Sequence, residues 1–250
     1  MKTVVGSGVS PARRQSGDMR IAVVESDPVR SMAVCRTIDA GGHICCAFRL
    51  GRDLMRALRR ETFDLLVVSD SVTDMSSVSL LESVRTRFQN DVPVLFMAGA
   101  SNEDAIVSML DRGADDVIAV PYSSDVLLAR VRSLLRRTYS LVADATIHVI
   151  GGMEFQAADR RVTYSGRSIT LTKKQFSLAL LLFQHLNRPL SRAHILDVIW
   201  SRGNDVSGRS IDTYVSILRS KLNLRPEFGF RLSPIYGYGY RLQHYKAAAR

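Results

Sequence analysis

Residues 63–69 read Phe-Asp-Leu-Leu-Val-Val-Ser, a short apolar run that ends on a hydroxyl side chain. Its length and its β-branched residues predict a strand at 65–68, inside a parallel sheet that is covered on both faces. Similar runs along the first half of the chain predict four more strands, at 21–24, 43–47, 92–97 and 117–119. The sequence therefore indicates a sheet of five short buried strands.

The stretches between these strands have the spacing of amphipathic helices, at about 28–40, 51–60, 76–89, 102–112 and 123–137. Strands that alternate with helices predict an α/β domain, doubly wound around a five-stranded parallel sheet. Ligands of such sheets bind beyond the carboxyl ends of the strands. Those ends are therefore the first place where a functional site is expected.

The pattern changes in the second half. Short strands with intervening turns fill 147–170, three helices follow, and a hairpin with two glycines spans about 229–242. Thr172 and Gln175 have the spacing of a capping box, and Ser191 is placed to cap the next helix. This order predicts an α+β winged helix-turn-helix domain. We divide the chain into a flexible tail (1–18), an α/β domain (19–137), a linker (138–146) and a winged-helix domain (147–245).

Charge is unevenly shared between the two halves. Residues 19–137 carry 15 arginines against 16 acids, whereas 147–250 carry 16 basic residues against 6 acids. No lysine occurs between Lys2 and Lys173. A near-neutral module joined to a basic one suggests that the second half binds a polyanion. The composition shows neither a secretion signal nor a membrane span of ~20 apolar residues, so we expect a cytoplasmic protein without a membrane partner.

The three cysteines, Cys35, Cys45 and Cys46, form neither a metal-binding motif nor an even disulfide set. We therefore expect reduced cysteines that are buried or half-buried in strands, as suits a reducing compartment. A redox switch between the adjacent Cys45 and Cys46 is the alternative.

The third helix of the second half has two distinct faces. At about 100° per residue, the apolar side chains fall on one face and small polar ones on the other. A small polar face can enter a DNA major groove, although a solvated amphipathic helix has the same pattern. The domain charge and the aromatic hairpin favour DNA. The apolar face comprises Ile211, Val215, Leu218 and Leu222, and the opposite side Arg209, Thr213, Ser216 and Ser220, flanked by Asp212 and Ile217.

The second half resembles the DNA-binding domain of OmpR/PhoB-type response regulators. The runs that carry this resemblance are Asp159-Arg-Arg-Val162, Leu171-Thr-Lys-Lys-Gln-Phe176, Leu190-Ser-Arg192, Val198-Ile-Trp200, Ile211-Asp-Thr-Tyr-Val215, Leu218-Arg-Ser-Lys-Leu222 and Gly237-Tyr-Gly-Tyr-Arg-Leu242.

The resemblance implies that the third helix enters the major groove of promoter DNA and that the hairpin wing touches the minor groove. The residues it assigns to DNA are Arg209, Ser210, Asp212, Thr213, Tyr214, Ser216, Ile217, Arg219, Lys221, Tyr236 and Tyr238. Ile217 and Tyr236 depart from the family, because arginine is frequent at both places in relatives; Ile217 suits a thymine methyl group instead. The resemblance also implies that the loop 201–208, with Trp200, Arg202 and Asp205, faces RNA polymerase.

The first half is similar to a receiver domain of the same family, through Gly113-Ala-Asp-Asp116, Pro121-Tyr122 and Leu128-Ala-Arg-Val131. A working receiver needs a phosphoacceptor aspartate, acids that hold Mg²⁺, a hydroxyl and a lysine. This chain lacks most of them, since serine, alanine and valine stand at the acceptor, hydroxyl and lysine positions. The positions of the degenerate pocket are Glu25, Ser26, Asp27, Ser69, Asp70, Ala98 and Val120.

These departures predict an atypical response regulator that binds DNA without aspartyl phosphorylation, with no catalytic residues, no metal and no cofactor. Two alternatives stay open. In the first, Asp70, one residue late on its strand, is a conventional Mg²⁺-dependent phosphoacceptor. In the second, the receiver is an adaptor for a sensor protein or small ligand, which a large apolar pocket around Ser69, Ala98 and Val120 would favour.

The family also implies a homodimer of bacterial receivers through the fourth helix, fifth strand and fifth helix. Acids precede bases along this part of the chain, as a self-complementary two-fold interface requires. Weak surface ion pairs are the alternative explanation of the same pattern. The residues concerned are Asp111, Asp115, Asp116, Arg130, Arg132 and Arg137.

Overall fold

The computed structural model describes residues 19–87, 92–99, 103–139, 147–200 and 209–245. The chain divides into two compact units, Met1–Thr138 and Tyr139–Arg250. Among the described residues, no helix combines the length and the apolarity needed to cross a bilayer.

In the described part of the first unit, strands and helices alternate regularly. They are β1 (Arg20–Val24), α1 (Pro28–Ala40), β2 (Ile44–Phe48), α2 (Gly51–Leu58), β3 (Leu65–Ser69), α3 (Ser77–Arg87), β4 (Val94–Gly99), α4 (Glu103–Asp111), β5 (Asp116–Val120) and α5 (Ser124–Tyr139). The strands form one parallel sheet in the order β2-β1-β3-β4-β5. The predicted doubly wound fold, with flavodoxin-like strand order, is therefore confirmed.

Strand order brings the functional ends together. β3 lies between β1 and β4, with Val68 opposite Val24 on one side and Phe96 on the other. Because all strands are parallel, the segments that follow β1, β3 and β4 emerge at the same edge of the sheet. α1 starts at this edge, where the Asp27 carboxylate caps it by accepting a hydrogen bond from the Arg30 N–H at 2.8 Å.

Arg85 of α3 holds together the segments at the opposite edge of the sheet. Its guanidinium donates to the carbonyls of Val92 (2.7 Å) and Gly113 (2.6 and 2.9 Å) and to the carboxylate of Asp115 (2.6 Å). The same carboxylate accepts the backbone N–H of Val94 at 2.7 Å. One arginine thus links α3 to the beginnings of β4 and β5.

The second unit begins with an antiparallel four-stranded sheet and continues with helices and a hairpin. Its elements are β6 (Ile147–Ile150), β7 (Met153–Gln156), β8 (Arg161–Tyr164), β9 (Arg167–Thr170), α6 (Lys173–Gln184), β10 (Pro189–Ser191), α7 (Arg192–Trp200), α8 (Arg209–Lys221), a 3₁₀ turn (Pro226–Phe228), β11 (Phe230–Ile235) and β12 (Gly239–His244). The sheet orders are β6-β7-β8-β9 and β10-β12-β11. The predicted winged-helix architecture is confirmed.

The core of the second unit follows the predicted pattern. The apolar face of α8 is buried, with Ile211, Val215 and Leu218 inaccessible to solvent. These residues join an aromatic cluster in which the ring of Phe183 packs against Phe155 and Phe230, each with centroids 5.1 Å apart. The expected capping box of α6 and the Ser191 cap of α7 are both present.

Four details differ from the sequence-based expectation. β10 was not predicted, because three residues are too short to show a period. α5 continues to Tyr139, so placing the start of the linker at 138 was wrong. α8 ends at Lys221, one residue before the predicted end. The expectation of reduced cysteines was also wrong, since Cys35 of α1 and Cys45 of β2 form a disulfide, while Cys46 is buried and not part of that bond.

We expect Gly239→Ala to destabilise the second unit by several kcal/mol. A Cβ at position 239 would lie 2.0 Å from the carbonyl oxygen of Leu190, so β10 cannot stay paired with β12. Gly237→Ala is the matched control, because its Cβ meets nothing within 4 Å and only the positive φ of 67° adds a cost of about 1 kcal/mol. Urea unfolding followed by the fluorescence of Trp200 measures both; equal losses would contradict the steric explanation.

Candidate functional site

The carboxylate of Glu25, at the end of β1, is the centre of the receiver pocket. It is almost completely buried. Its Oε1 accepts hydrogen bonds from the backbone N–H of Asp27 at 2.8 Å and from the hydroxyl of Ser71. The guanidinium Nε of Arg30 lies 3.7 Å from Oε2. Protein donors therefore already surround this carboxylate.

Ser69 and Asp70, at the end of β3, lie in different surroundings. Ser69 is buried, and its Oγ lies 2.9 Å from the Oγ of Ser71, which links it to Glu25. Asp70 is exposed, and its carboxylate accepts the backbone N–H of Gly99, at the end of β4, at 2.9 Å. The serine therefore belongs to the buried hydrogen-bonded cluster, and the aspartate reaches over the neighbouring strand.

The other pocket positions contribute no charge. Ala98 is buried on β4, and the half-buried Val120 ends β5 before a cis peptide bond to Pro121. The hydroxyl of Ser26 donates to the carbonyl of Arg49 at 2.8 Å and lies 3.3 Å from the hydroxyl of Thr73, so it is engaged away from Glu25.

Ser71 and Tyr122 are two hydroxyl groups of this pocket that the sequence did not single out. The Tyr122 hydroxyl donates to Sδ of Met97 at 3.1 Å. Burial raises the pKa of Tyr122, and the nearby charge of Glu25 raises it further. The phenol therefore stays protonated beside the carboxylate. The sequence did not show that these two side chains lie near Glu25, because that depends on how the segments after β3 and β5 fold back to the end of β1.

The pocket does not fit the Mg²⁺ ion that a phosphorylatable receiver uses. Mg²⁺ needs carboxylate oxygens with free lone pairs and an octahedral set of ligands. Here the Glu25 carboxylate already accepts two hydrogen bonds, and that of Asp27 caps α1. Serine offers only a neutral oxygen at position 69. The arrangement is a network of hydroxyl donors around one buried acid.

The large cavity of the first unit lies elsewhere. It measures about 830 Å³ and opens beside the edge strand β2, between α1 and α2. Its lining does not include Ser69, Ala98 or Val120, around which a large apolar pocket would have favoured the adaptor alternative. Its lining is mixed, with apolar side chains such as Met32 and Phe48 together with arginines and acids.

The outer face of α8 is the candidate DNA-binding surface. Among its described side chains, Asp212, Thr213, Ser216 and Lys221 are exposed, and Ile217 is half-buried. Small side chains therefore occupy the middle of this face, as close approach to a groove requires. The side chains of Arg209 and Ser210, at the beginning of the helix, lie outside the described part.

Several predicted DNA contacts have partners inside the unit. Arg219 donates through Nε to the carbonyl of Leu232 at 2.8 Å, and the Lys221 amine donates to Oε1 of Gln175 at 3.3 Å. The ring of Tyr214 packs against Trp200 with centroids 5.3 Å apart. The geometry thus gives these three residues structural roles in addition to the predicted ones.

Asp212 connects α8 to the hairpin. Its Oδ1 accepts hydrogen bonds from Arg192, at 2.7 Å, and from the hydroxyl of Tyr240 on β12. The hydrogen bond from Arg192, and then that from Tyr240, lower the pKa of Asp212. The carboxylate therefore stays ionised, and its charge is balanced on the protein.

The wing and the end of α7 differ in exposure. Tyr236, at the tip of the hairpin, is fully exposed, whereas Tyr238 is half-buried. Trp200 ends α7 in a half-buried position, with the Lys174 amine 5.6 Å from its ring centre. The remaining residues of the predicted polymerase-facing surface, Arg202 and Asp205, lie outside the described residues.

The residues predicted for the dimer face do not all lie together. Asp116 on β5 and Arg130 on α5 form an ion pair with N–O distances of 2.8 and 2.9 Å. Asp115 is occupied by Arg85 instead. Arg132 interacts with His43, the residue before β2. Burial lowers the pKa of His43, and the charge of Arg132 lowers it further, while the charge of Asp64 acts in the opposite direction.

Exposed apolar side chains accompany the remaining members of this face. On α4, Val107 and Leu110 are exposed beside Asp111. On α5, Val126 is exposed one turn before Arg130. Arg137 is also exposed, near the end of α5. Residues four apart share one face of a helix, so each helix presents an apolar and a charged side chain together.

Two family models match the chain. The response regulator receiver domain matches residues 21–132, and the family described as transcriptional regulatory protein, C terminal, matches residues 166–242. The regulatory protein VanRB of Enterococcus faecalis is 31% identical over 229 residues, which cover 90% of this chain and 98% of the relative.

Other relatives agree with these matches. The transcriptional regulatory protein PrrA of Mycobacterium tuberculosis is 29% identical over 204 residues, which cover 81% of this chain and 87% of the relative. Among solved structures, the response regulator DrrB, described as a Thermotoga maritima OmpR/PhoB homolog, is 23% identical with a TM-score of 0.44; the match covers 90% of this chain and 99% of that one.

Proposed function

The chain belongs to the OmpR/PhoB-type response regulators, as a DNA-binding regulator of transcription, and we propose that it acts as a dimer without aspartyl phosphorylation. We place it in the bacterial cytoplasm, with promoter DNA as its partner and without an enzymatic activity of its own. RNA polymerase, at the loop 201–208, is the second partner that we propose.

The surroundings of Ser69 carry the proposal of phosphorylation independence. The acceptor position holds a buried neutral hydroxyl that is hydrogen-bonded towards Glu25 through Ser71. Phosphoryl transfer also needs cations that balance the charge of the phosphoryl oxygens. No lysine lies between Lys2 and Lys173. Alanine, at position 98, stands where a working receiver needs a hydroxyl side chain. The hydroxyl network holds the strand ends together where a metal and a phosphoryl group do so in other receivers.

The position of Asp70 argues against the conventional alternative. Its carboxylate is hydrogen-bonded to the end of β4, outside the Glu25 cluster. A phosphoryl group on this oxygen would be exposed, and no lysine between residues 3 and 172 could balance its charge. The adaptor alternative is retained in a changed form, since the large cavity lies at the β2 edge and shares only Ser26 with the degenerate pocket.

We assign DNA recognition to the middle of α8 and to the wing. Thr213, Ser216 and Ile217 are small or apolar side chains on the outward face. Tyr236 projects fully into solvent from the wing. We add Arg209, at the beginning of α8, as a phosphate contact on the basis of its type and place in the sequence. The other assigned residues, Ser210, Asp212, Tyr214, Arg219, Lys221 and Tyr238, support this surface or its edges.

For the dimer we propose the α4–β5–α5 face, with only some of the residues that the sequence assigned to it. Val107, Leu110 and Val126 supply apolar contact, while Asp111 and Arg130 supply opposite charges on neighbouring helices. A two-fold axis would bring the acid of one subunit near the base of the other. Dimeric winged helices would then contact repeated half-sites about one helical turn apart.

The phosphorylation proposal predicts no response to a small-molecule phosphodonor. After incubation with acetyl phosphate and Mg²⁺, we expect intact-mass spectra without an acid-labile adduct and an unchanged Kd for DNA. Asp70→Ala should behave like the wild type. An adduct that tightens DNA binding, with both effects lost in Asp70→Ala, would establish the conventional mechanism instead.

The DNA proposal predicts that Ser216→Glu weakens binding at least about tenfold, because a carboxylate in the middle of α8 would face the phosphates. Arg209→Ala should also weaken binding, and wild-type affinity should fall steeply with salt. Ser168→Glu, an identical change at an exposed position of β9, is the control. Fluorescence anisotropy on a duplex selected from random sequences measures each Kd. Equal effects at 216 and 168 would remove α8 from the interface.

The dimer proposal predicts that Leu110→Glu raises the self-association Kd at least about tenfold, since burying an unpaired carboxylate costs more than about 1.4 kcal/mol. Val29→Glu is the matched control, because Val29 is an exposed apolar residue on α1. Sedimentation equilibrium measures both variants. A monomeric wild type, or a loss at Val29 equal to that at Leu110, would refute this interface.

A further inference from the structure

The pairing of Cys35 with Cys45 gives the first unit a second chemical feature, separate from its degenerate pocket. Cys35 lies in the middle of α1 and Cys45 in the edge strand β2, ten residues later. Their Cα atoms are 5.3 Å apart, within the range in which two sulfurs can bond. The fold therefore holds the two thiols together whether or not they are oxidised, because α1 packs against β2.

We propose that Cys35 and Cys45 form a reversible thiol–disulfide site that reacts with low-molecular-weight disulfides. In a reducing compartment, a disulfide between two cysteines is typically transient or redox-sensing and seldom a permanent brace. The site gives the first unit an input that needs neither a phosphoryl group nor a metal. It does not depend on where the protein binds DNA.

Access distinguishes this pair from the third cysteine. Cys35 and Cys45 are half-buried, and both line the cavity of about 830 Å³ beside β2. A cavity of this size admits a molecule such as glutathione disulfide at least in part. Cys46 is the next residue along β2, so its side chain points to the opposite face of the sheet, where it is buried. The adjacent pair Cys45 and Cys46 is thus not the redox couple.

Positive charge around the cavity favours this reaction. Arg36, Arg49 and Arg60 line it, and no ion pair of these three is recorded within the described residues. Arg56, on the same wall, pairs with Asp53 at 3.6 Å. The cavity also contains the acids Asp39 and Glu61, of which Glu61 pairs with Arg20. The four arginines of the lining outnumber its three acids, so the cavity attracts anionic disulfides such as glutathione disulfide.

The reaction is an ordinary double exchange. The thiolate of one cysteine attacks a sulfur of the small disulfide, forms a mixed disulfide and releases one small thiolate. The second protein thiolate then attacks the protein sulfur of that mixed disulfide and releases the other small thiolate. The two cysteines lose two electrons, the small disulfide gains them, and the two thiol protons pass to the released thiolates or to solvent.

The bond connects β2 to the middle of α1, a helix whose first turn lies at the degenerate pocket. α1 begins at Asp27, whose backbone N–H donates to Glu25 and whose carboxylate caps the helix. Oxidation adds a covalent link from the same helix to β2. The oxidised and reduced forms therefore differ in how firmly α1 is fixed to the edge of the sheet.

The experiment uses the full chain equilibrated in glutathione buffers with a rising proportion of the disulfide form. Samples are quenched with acid, alkylated under denaturing conditions and mapped by mass spectrometry. We expect wild type and Cys46→Ser to form the Cys35–Cys45 bond in one step and to lose it when dithiothreitol is added without denaturant. Cys35→Ser and Cys45→Ser should stop at a mixed disulfide with glutathione.

A thermal measurement tests the structural consequence. The oxidised wild type and the oxidised Cys46→Ser variant should unfold about 5 °C higher than their reduced forms, because closing a loop restricts the unfolded chain. The difference should vanish in Cys35→Ser. Three results would overturn the proposal: a bond that includes Cys46, no intramolecular bond in glutathione disulfide, or a bond that dithiothreitol reduces only after unfolding, which would make it a permanent brace.

Discussion

The alternation of side chains along β3 is the constraint on which the chemistry of the first unit depends. β3 lies in the interior of a parallel sheet, so its register is fixed by β1 on one side and by β4 on the other. Consecutive side chains must point to opposite faces. Ser69 therefore enters the hydrogen-bonded cluster around Glu25, and Asp70 does not. On an unbroken strand, an aspartate one position late points away from the proposed acceptor position, and β3 continues without a bulge between Leu65 and Ser69.

Protein groups already fill the pocket around Glu25. The Ser71 hydroxyl donates to the buried Glu25, and the Tyr122 phenol, which donates to Met97, lies nearby as a neutral group. A buried carboxylate without compensation is costly. The hydroxyl network thus stabilises the scaffold in a single arrangement, which is consistent with a domain whose remaining work is to hold a dimer or to respond to a different input.

Much of the fold could be predicted from the sequence, because its strands and helices have clear periods and lengths. The apolar positions of α8, at 211, 215 and 218, were identified correctly from helical spacing alone. β10 was not, since Pro189–Ser191 becomes a strand only by pairing with β12. The partners of individual side chains could not be predicted from the sequence either. The sequence shows an acid at 115 but not that Arg85 occupies it, and it shows three cysteines but not that α1 places Cys35 beside Cys45.

The contact of Asp212 with Arg192 and Tyr240 divides α8 into positions of two kinds. Thr213 and Ser216 are exposed on the face that we propose contacts DNA, so substitutions there would alter the proposed base contacts more than the attachment of the hairpin. A substitution at 212 changes the attachment of the wing as well. New sequence preferences can therefore arise by gradual drift at the outward positions, whereas position 212 can change only together with 192 and 240, which limits the evolutionary routes open to this regulator.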